Sequence, residues 1–181
     1  RQVTSKLQMM NFLFSKFSFA ILAFVVAGVD GFSEEKAEKK EPVLTVKVRT
    51  TAYTHTESDH VKYGNKTALG TVLRYTPEYH SAAADWSFFP LGTKFKVKGY
   101  DRVFVVDDYG SALVGKPTID IYFTTKKWMN NWGVRHVEVE VIEFGSFHES
   151  RKILAGRGTY PHCLAMLARM TQDNWYEKFQ K

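Results

Sequence analysis

The strongest constraint on the fold of this chain is a series of short stretches in which apolar and polar residues alternate. Leu44, Val46 and Val48, for example, are separated by single polar residues. A period of two places successive side chains on opposite faces, which is typical of a half-buried β-strand. Turn-forming residues separate the stretches. The predicted strands are residues 43–53, 94–98, 103–106, 118–123 and 136–142.

Helical patterns are few and short. Residues 124–132 form one predicted helix, which Gly133 ends, and the apolar spacing of residues 161–170, continuing towards Phe179, predicts an amphipathic C-terminal helix. Cys163 is interpreted as a small buried hydrophobe on that helix. About six short strands with one short helix, without a repeating βα pattern, predict a mainly β fold closed into a small barrel.

The N-terminal residues differ from the rest in composition. Residues 1–32 carry lysines ahead of an apolar run from Phe17 to Val29, which is typical of a signal peptide. The run is shorter than the ~20 residues of a membrane span, so a retained membrane anchor is the weaker alternative. Residues 33–42 form a charged linker. We therefore predict a barrel domain over residues 43–144, a partly helical extension over 145–181, and export to the periplasm or cell envelope, with outer-membrane association left open.

Composition excludes several classes of function. The formal charge of +6 comes without a basic and aromatic stripe, so we predict no nucleic-acid partner. The six histidines lack metal-ligand spacing, and the single cysteine excludes an intrachain disulfide. No serine lies in a GxSxG elbow, which leaves nucleophilic catalysis unsupported. We predict no cofactor and no metal; a cation held by several aspartates is the weaker alternative.

Aspartates inside predicted strands need an explanation, because aspartate is a poor strand residue. In residues 118–123, Ile119 and Ile121 share one face, which leaves Asp120 and Tyr122 together on the other. The same alternation predicts that only one residue of the pair at 107 and 108 can face that side. The following Gly110 predicts a sharp turn or a close backbone approach.

Such a carboxylate can serve chemistry or structure. Burial among apolar residues and nearby carboxylates raises a carboxyl pKa, and a proton held near neutral pH makes a general acid. Structural alternatives stay open: Asp108 could cap the turn at Gly110, Asp107 could pair with Arg102 or a surface lysine, and Asp85 could cap a helix start.

Seven short segments occur together in one order along the chain. They are Thr51-Ala52-Tyr53, Thr67–Gly70, Ala83–Asp85, Phe89–Thr93, Asp108–Gly115, Ile119–Phe123 and Trp132-Gly133. Taken together they resemble a known family, the 3D domains named for three aspartates. These domains are six-stranded double-psi β-barrels of secreted cell-wall proteins, and they are similar to the core of membrane-bound lytic transglycosylase A.

The sequence departs from the family pattern at three points. Asp108-Tyr109-Gly110-Ser111 stands in place of the family's Asp-Thr-Gly-Gly, and Asp85-Trp86 stands in place of Asp-Pro. One extra residue separates Gly115 from Asp120.

The resemblance implies roles for individual residues. It places the three aspartates at Asp85, Asp108 and Asp120, with Asp120 as the acid and base and the other two shaping the site. Asp107 has no counterpart in the family and is interpreted as a neighbour. Residues expected to line a substrate groove are Thr51, Tyr53, Trp86, Gly110 and Tyr122.

The implied activity is that of a lytic transglycosylase on peptidoglycan glycan strands. Such an enzyme cleaves the β-1,4 bond between N-acetylmuramic acid and N-acetylglucosamine and forms a 1,6-anhydro product, with one residue as acid and then base. Two alternatives remain. The barrel could be a wall-binding module without catalysis, or an endoglycanase that uses water with Asp108 as the base. Membrane contact is expected only through an uncleaved signal segment.

Overall fold

The computed structural model describes residue 42, residues 44–58 and residues 60–170. Within these residues, six strands form one closed barrel. The predicted signal segment, most of the linker and the apolar residues beyond 170 lie outside the described residues. The strands are β1 (Leu44–Tyr53), β2 (His80–Ala84), β3 (Lys94–Val97), β4 (Val103–Asp108), β5 (Thr118–Tyr122) and β6 (Arg135–Glu143).

The order of the strands around the barrel is β1, β5, β2, β4, β3 and β6. β1 pairs in parallel with β5, and β2 pairs in parallel with β4. The other four neighbouring pairs are antiparallel. A closed six-stranded barrel with these pairings is the double-psi β-barrel that the sequence predicted.

The apolar faces of the strands fill the barrel interior. Ala82, Ala84, Val106, Ile119 and Ile121 are fully buried there and belong to one continuous core. Burying such side chains contributes about 25 cal/mol per Å² of apolar surface, which is the main stabilising term available to a fold without disulfides.

Most of the predicted elements are confirmed, and one strand was missed. The helix α1 (Lys126–Trp132) ends at Gly133, which adopts a φ of 60° that few other residues tolerate. β2 has the sequence His-Ser-Ala-Ala-Ala, which lacks the β-branched residues typical of strands. All five of its residues are buried, because β2 lies between β4 and β5 and its small side chains leave room for both.

Two helices follow the barrel. α2 (Phe147–Ala155) was not predicted, whereas α3 (Pro161–Met170) is the predicted amphipathic helix. Cys163, Met166 and Met170 of α3 are buried in the main core, and Leu164 lies on its exposed side. No helix in the described part of the chain is long and apolar enough to cross a membrane.

The chain leaves the barrel through a close contact between backbones. The amide of Ser146 donates to the carbonyl oxygen of Leu91 at 2.9 Å, and the amide of Gly145 donates to the hydroxyl of Thr93 at 3.1 Å. A Cβ atom at Gly145 would overlap the carbonyl group of Leu91 and lie 2.5 Å from the amide nitrogen of Thr93. Only glycine fits at this position, since both obstacles are backbone atoms.

We expect Gly145→Ala to lower the free energy of unfolding by about 2 kcal/mol or more, because the added methyl group must displace backbone. Urea unfolding followed by circular dichroism measures the change. Gly158→Ala is the matched control, because the nearest atom to its Cβ would be the carbonyl oxygen of Ala155 at 3.6 Å. Equal effects of the two substitutions would contradict the prediction.

Candidate active site

The parallel pairing of β1 with β5 brings four polar side chains onto one surface. The register sets Thr51 beside Asp120 and Tyr53 beside Tyr122. Since Ile119 and Ile121 fill the interior, these four side chains lie on the opposite face of their strands, as the alternation predicts. We call this surface, formed by Thr51, Tyr53, Asp120 and Tyr122, the aspartate face.

Asp120 is the partly exposed carboxyl of this face. The hydroxyl of Thr51 donates to its Oδ1 at 2.6 Å. Burial raises the pKa of Asp120 to about 6; the bond from Thr51 opposes this shift, and the negative charges of Glu57 and Asp108 add to it. A carboxyl with this pKa is protonated in a substantial fraction of molecules near pH 6.

A β-bulge places Asp108 beside this face. Ala82 pairs with Val106, but Ala83 pairs with Asp108, so Asp107 is an extra residue in β4. The bulge shifts the alternation and turns Asp108 away from the interior side of Val106. The prediction that only one of the two aspartates faces this side assumed unbroken alternation, which the bulge interrupts. The negative charges of both aspartates raise the pKa of Tyr53, after the larger effect of burial.

Asp108 is held by three donors. Its Oδ2 accepts from the hydroxyl of Tyr53 at 3.0 Å, and its Oδ1 accepts from the amides of Ala68 at 2.7 Å and Tyr109 at 2.9 Å. Burial nevertheless raises its pKa above the usual value. Through the amide of Tyr109, Asp108 holds the backbone that follows β4. Gly110 has an extended backbone with a φ of −131°, so it does not make the sharp turn that the sequence predicted.

Asp107 is buried rather than at the surface. Its Oδ2 accepts from the hydroxyl of Ser81 at 2.8 Å and from Nη2 of Arg74 at 3.3 Å. The alternative that paired Asp107 with Arg102 or a surface lysine is therefore wrong, and Arg102 instead contacts His80. Burial raises the pKa of Asp107 to about 6, against the bonds from Ser81 and Arg74.

Asp85 links two loops at the end of β2. Its Oδ1 accepts from the amide of Ser87 at 2.8 Å, and its Oδ2 accepts from the amide of Gly115 at 2.6 Å. Only 1% of the surface of Asp85 is exposed. Its bond to Gly115 holds the chain between β4 and β5 against the end of β2. This arrangement is a side-chain cap of a turn, close to the structural alternative considered from the sequence.

Trp86 lies in the core and not at an open surface. It is fully buried, its indole Nε1 donates to the carbonyl oxygen of Asp108 at 3.0 Å, and its ring packs edge to face against Tyr109. In this position Trp86 offers no surface to a ligand, and it supports the backbone that carries Asp108.

The loop after β1 contributes residues that the sequence reading passed over. Nδ1 of His55 lies 2.8 Å from the hydroxyl of Tyr122, and the ring of His60 packs 5.6 Å from that of Tyr53. Glu57 accepts from the amide of Thr54 at 3.0 Å. The sequence did contain a signal for His55, because His55 continues the alternation that places Thr51 and Tyr53 on one face of the strand. Across the described residues, no group of three or more His, Cys, Asp or Glu side chains could hold a metal ion.

The C-terminal helices contact the site through Arg157, which lies between α2 and α3. Its Nη2 donates to the carbonyl oxygen of Ala68 at 2.5 Å, and its Nη1 donates to the hydroxyl of Tyr109 at 2.9 Å. The thiol of Cys163 lies 3.4 Å from the same hydroxyl. Since the amide of Ala68 donates to Asp108, Arg157 braces the loop that holds this carboxylate.

One segment of this barrel matches a known family. Residues 80–143 match the 3D domain family, and the matched segment contains Asp85, Asp108 and Asp120. This part of the barrel is a 3D domain, as the resemblance predicted. Thr51 and Tyr53 precede the matched segment and join the site through the pairing of β1 with β5.

Two curated relatives, both from Bacillus subtilis (strain 168), are similar to this chain at 33% identity. "Cell wall-binding protein YocH" matches over 115 residues, 61% of this chain and 38% of the relative. "Putative cell wall shaping protein YabE" matches over 105 residues, 58% of this chain and 24% of the relative. The matched region is thus a minor part of each relative.

We expect Thr51→Val to raise the pKa of Asp120 above its value of about 6. The hydroxyl of Thr51 donates to the carboxylate and so stabilises the charged form, whereas a valine methyl group cannot. Titration of the carboxyl carbon by NMR measures the shift. Thr45→Val, at an exposed position of the same strand, is the control and should leave the pKa unchanged. A pKa that stays at about 6 in Thr51→Val would show that this bond has no such effect.

The raised pKa of Asp120 also predicts how Asp120→Asn changes stability with pH. The folded protein binds the proton more tightly than the unfolded chain, since its pKa is about 6 against 3.8. The fold therefore loses stability as pH rises through this window. Asparagine resembles the protonated form, so the variant should be more stable than the parent by on the order of 1–2 kcal/mol at pH 7.5 and by little at pH 4.

Urea unfolding of the parent and of Asp120→Asn at the two pH values measures this difference. Asp107 is present in both proteins, so its own titration cancels in the comparison. A stability difference that is the same at both pH values would contradict the assignment of a raised pKa to Asp120.

Proposed function

We propose that this chain is an exported cell-wall protein whose aspartate face binds peptidoglycan glycan strands, and that it cleaves them as a lytic transglycosylase. The observation that carries the proposal is the exposure, pKa and hydrogen bonding of the Asp120 carboxyl. Its carboxyl is partly exposed, has a pKa of about 6 and is oriented by a single hydroxyl donor, Thr51. A positioned carboxyl of this kind can both donate and accept a proton.

The reaction needs no second catalytic carboxylate. Asp120 donates its proton to the glycosidic oxygen between N-acetylmuramic acid and N-acetylglucosamine as the bond to the anomeric carbon breaks. The C6 hydroxyl of the same muramic acid attacks that carbon and gives its proton to Asp120. The products are a free N-acetylglucosamine hydroxyl and a 1,6-anhydro sugar, and Asp120 ends protonated as it began. An internal nucleophile has the advantage of proximity over water.

The environment of Asp108 favours this reaction over hydrolysis. A base that activates water needs a carboxylate oxygen available to the water, as in inverting glycosidases. Asp108 has 5% of its surface exposed and already accepts three hydrogen bonds. Its charge instead adds to the raised pKa of Asp120. We therefore assign Asp108 and Asp85 to holding the site and Asp120 to catalysis.

Support for a wall polymer as the partner comes from the relatives. One is named a cell wall-binding protein and the other a cell wall shaping protein. A location outside the cytoplasm follows from such a partner, and the signal-like pattern of residues 1–32 agrees with it. The names of the relatives therefore support peptidoglycan binding and an envelope location, whereas glycan cleavage rests on the properties of Asp120.

The second candidate function is wall binding without cleavage. It is favoured by the name of the first relative, which describes binding only. On this alternative the aspartate face would hold a glycan strand, and the proton of Asp120 would serve as a hydrogen-bond donor. The two functions differ in whether glycan is released.

The test is to incubate the full chain with purified peptidoglycan near pH 6 and to analyse the soluble products by mass spectrometry. We expect anhydro-muropeptides, and Asp120→Asn should lower their rate of release by about 100-fold or more. Asp101→Asn, at an exposed carboxylate paired with Lys96 at 3.8 Å, is the control and should keep the parent rate.

Three outcomes would decide against parts of the proposal. Products with a reducing end would indicate hydrolysis. Sedimentation of the protein with peptidoglycan without soluble product would indicate the binding module. An Asp120→Asn variant as active as the parent would remove Asp120 from catalysis while leaving the wall partner in place.

A further inference from the structure

A second concave site lies at one end of the barrel and contains none of the aspartates discussed above. Its volume is about 240 Å³, and it is formed where β2 and β4 begin, β5 ends and α1 packs. Six aromatic rings form most of its wall. They are Tyr75, Tyr100, Phe104, Phe123, Trp128 and Trp132. We call this site the aromatic cavity.

The wall of the aromatic cavity combines fixed and exposed rings. Phe104, Phe123 and Trp132 belong to the buried core, so they form a rigid apolar floor. Trp128 of α1 is 53% exposed, and Tyr100 is 39% exposed. Exposed large aromatic rings beside a rigid apolar floor are typical of a small-molecule or peptide site.

The polar groups of the cavity are mainly donors. Nη1 of Arg102 lies 3.1 Å from Nε2 of His80. Arginine stays protonated and can only donate, so Nε2 accepts and the ring proton of neutral His80 is on Nδ1. Burial, followed by the charge of Arg102, lowers the pKa of His80 to about 4, which keeps the ring neutral. Its Nδ1 is buried without a hydrogen-bond partner among the described residues.

The two arginines of the cavity differ in how firmly they are held. Arg135 donates to the hydroxyl of Tyr100 and to the carbonyl oxygens of Asn131 and Trp132, and it lies over the Trp132 ring at 4.5 Å. Arg102 is exposed, and its contact with His80 uses one of its five donors. Among the described residues, no carboxylate lines the cavity, so none neutralises its positive charge there.

We propose that the aromatic cavity binds the free carboxyl end of a short peptide, with Arg102 receiving the carboxylate and the aromatic wall receiving a small apolar side chain. The planar guanidinium group of Arg102 matches a carboxylate in a bidentate arrangement. The cavity is smaller than the ~300–1,000 Å³ typical of drug-sized ligands, which fits one or two small residues. A carboxylate also neutralises the charge of Arg102, which a neutral sugar does not.

The aromatic cavity is independent of the proposed glycan chemistry. Its lining residues do not include the side chains of the aspartate face, and a ligand there would leave Asp120 free to act. A wall-associated protein with both sites could hold a peptide and a glycan strand at once. Binding at two sites raises the effective concentration of the second group, even if each site is weak.

The test follows the indole N–H signals of the full chain by NMR during titration with N-acetyl-alanyl-alanine. We expect saturable shifts of the Trp128 and Trp132 signals with a dissociation constant on the order of 1 mM, the affinity of a single small ligand. Trp128→Phe assigns one of the two signals. The C-terminal amide of the same peptide should bind at least about 10-fold more weakly, since one lost charged contact costs more than 1.4 kcal/mol.

Variants separate the two sites. Arg102→Gln should weaken peptide binding about 10-fold or more, whereas Lys94→Gln, at an ion pair with Glu143 elsewhere on the barrel, should not. Asp120→Asn should bind the peptide as the parent does. The proposal is overturned by equal shifts with the acid and the amide, by no saturable shift, by loss of binding in Asp120→Asn, or by equal shifts with inorganic phosphate, which would indicate an anion site without a role for the aromatic wall.

Discussion

The parallel pairing of β1 with β5 is the constraint on which the rest of the site depends. It sets Thr51 beside Asp120 while Ile119 and Ile121 fill the interior, so the same strand serves both the core and the carboxyl group. Desolvation of a carboxylate is unfavourable. A strand without paired neighbours would therefore shift so that Asp120 entered water. The closed barrel prevents this, because every strand is paired on both sides and none can slide alone. The apolar core therefore supports the raised pKa on which the proposed chemistry rests.

The aspartates of this barrel share burial but differ in the number of donors around them. Asp85 accepts two backbone amides, and Asp108 accepts two amides and a phenol hydroxyl. Such groups are well suited to hold loops, because their lone pairs are already used. Asp120 accepts one hydroxyl and is partly exposed, which leaves oxygen atoms available to a ligand. The proposed division of roles follows this difference in hydrogen bonding. Asp107, which has no family counterpart, is a buried neighbour that accepts from Ser81 and Arg74.

Two features that local sequence patterns did not predict, β2 and the bulge in β4, have a common cause. β2 has no β-branched residues, and only its burial between two strands makes it a strand. The bulge in β4 depends on how β2 pairs with it, so alternation along β4 alone could not place Asp107 and Asp108. α2 is a different case, because Ser146 and Glu149 have the spacing of a capping box and the amide of Glu149 does donate to Ser146. That signal was local and could have been used.

The sequence by itself determined the alternating strands, the helix that ends at Gly133, the opposite facing of Ile119 and Asp120, and the resemblance of residues 80–143 to the 3D domain. These features depend on residues close together in the chain, because the period of apolar side chains indicates whether a segment is a strand or a helix. Only the tertiary structure decided that Trp86 is buried, that Asp107 pairs with Arg74, that Arg157 braces the loop of Ala68, and that six aromatic rings enclose a cavity. Each of these contacts joins residues far apart in the chain. Their positions follow from the closure of the barrel and the docking of the C-terminal helices, which no local pattern encodes.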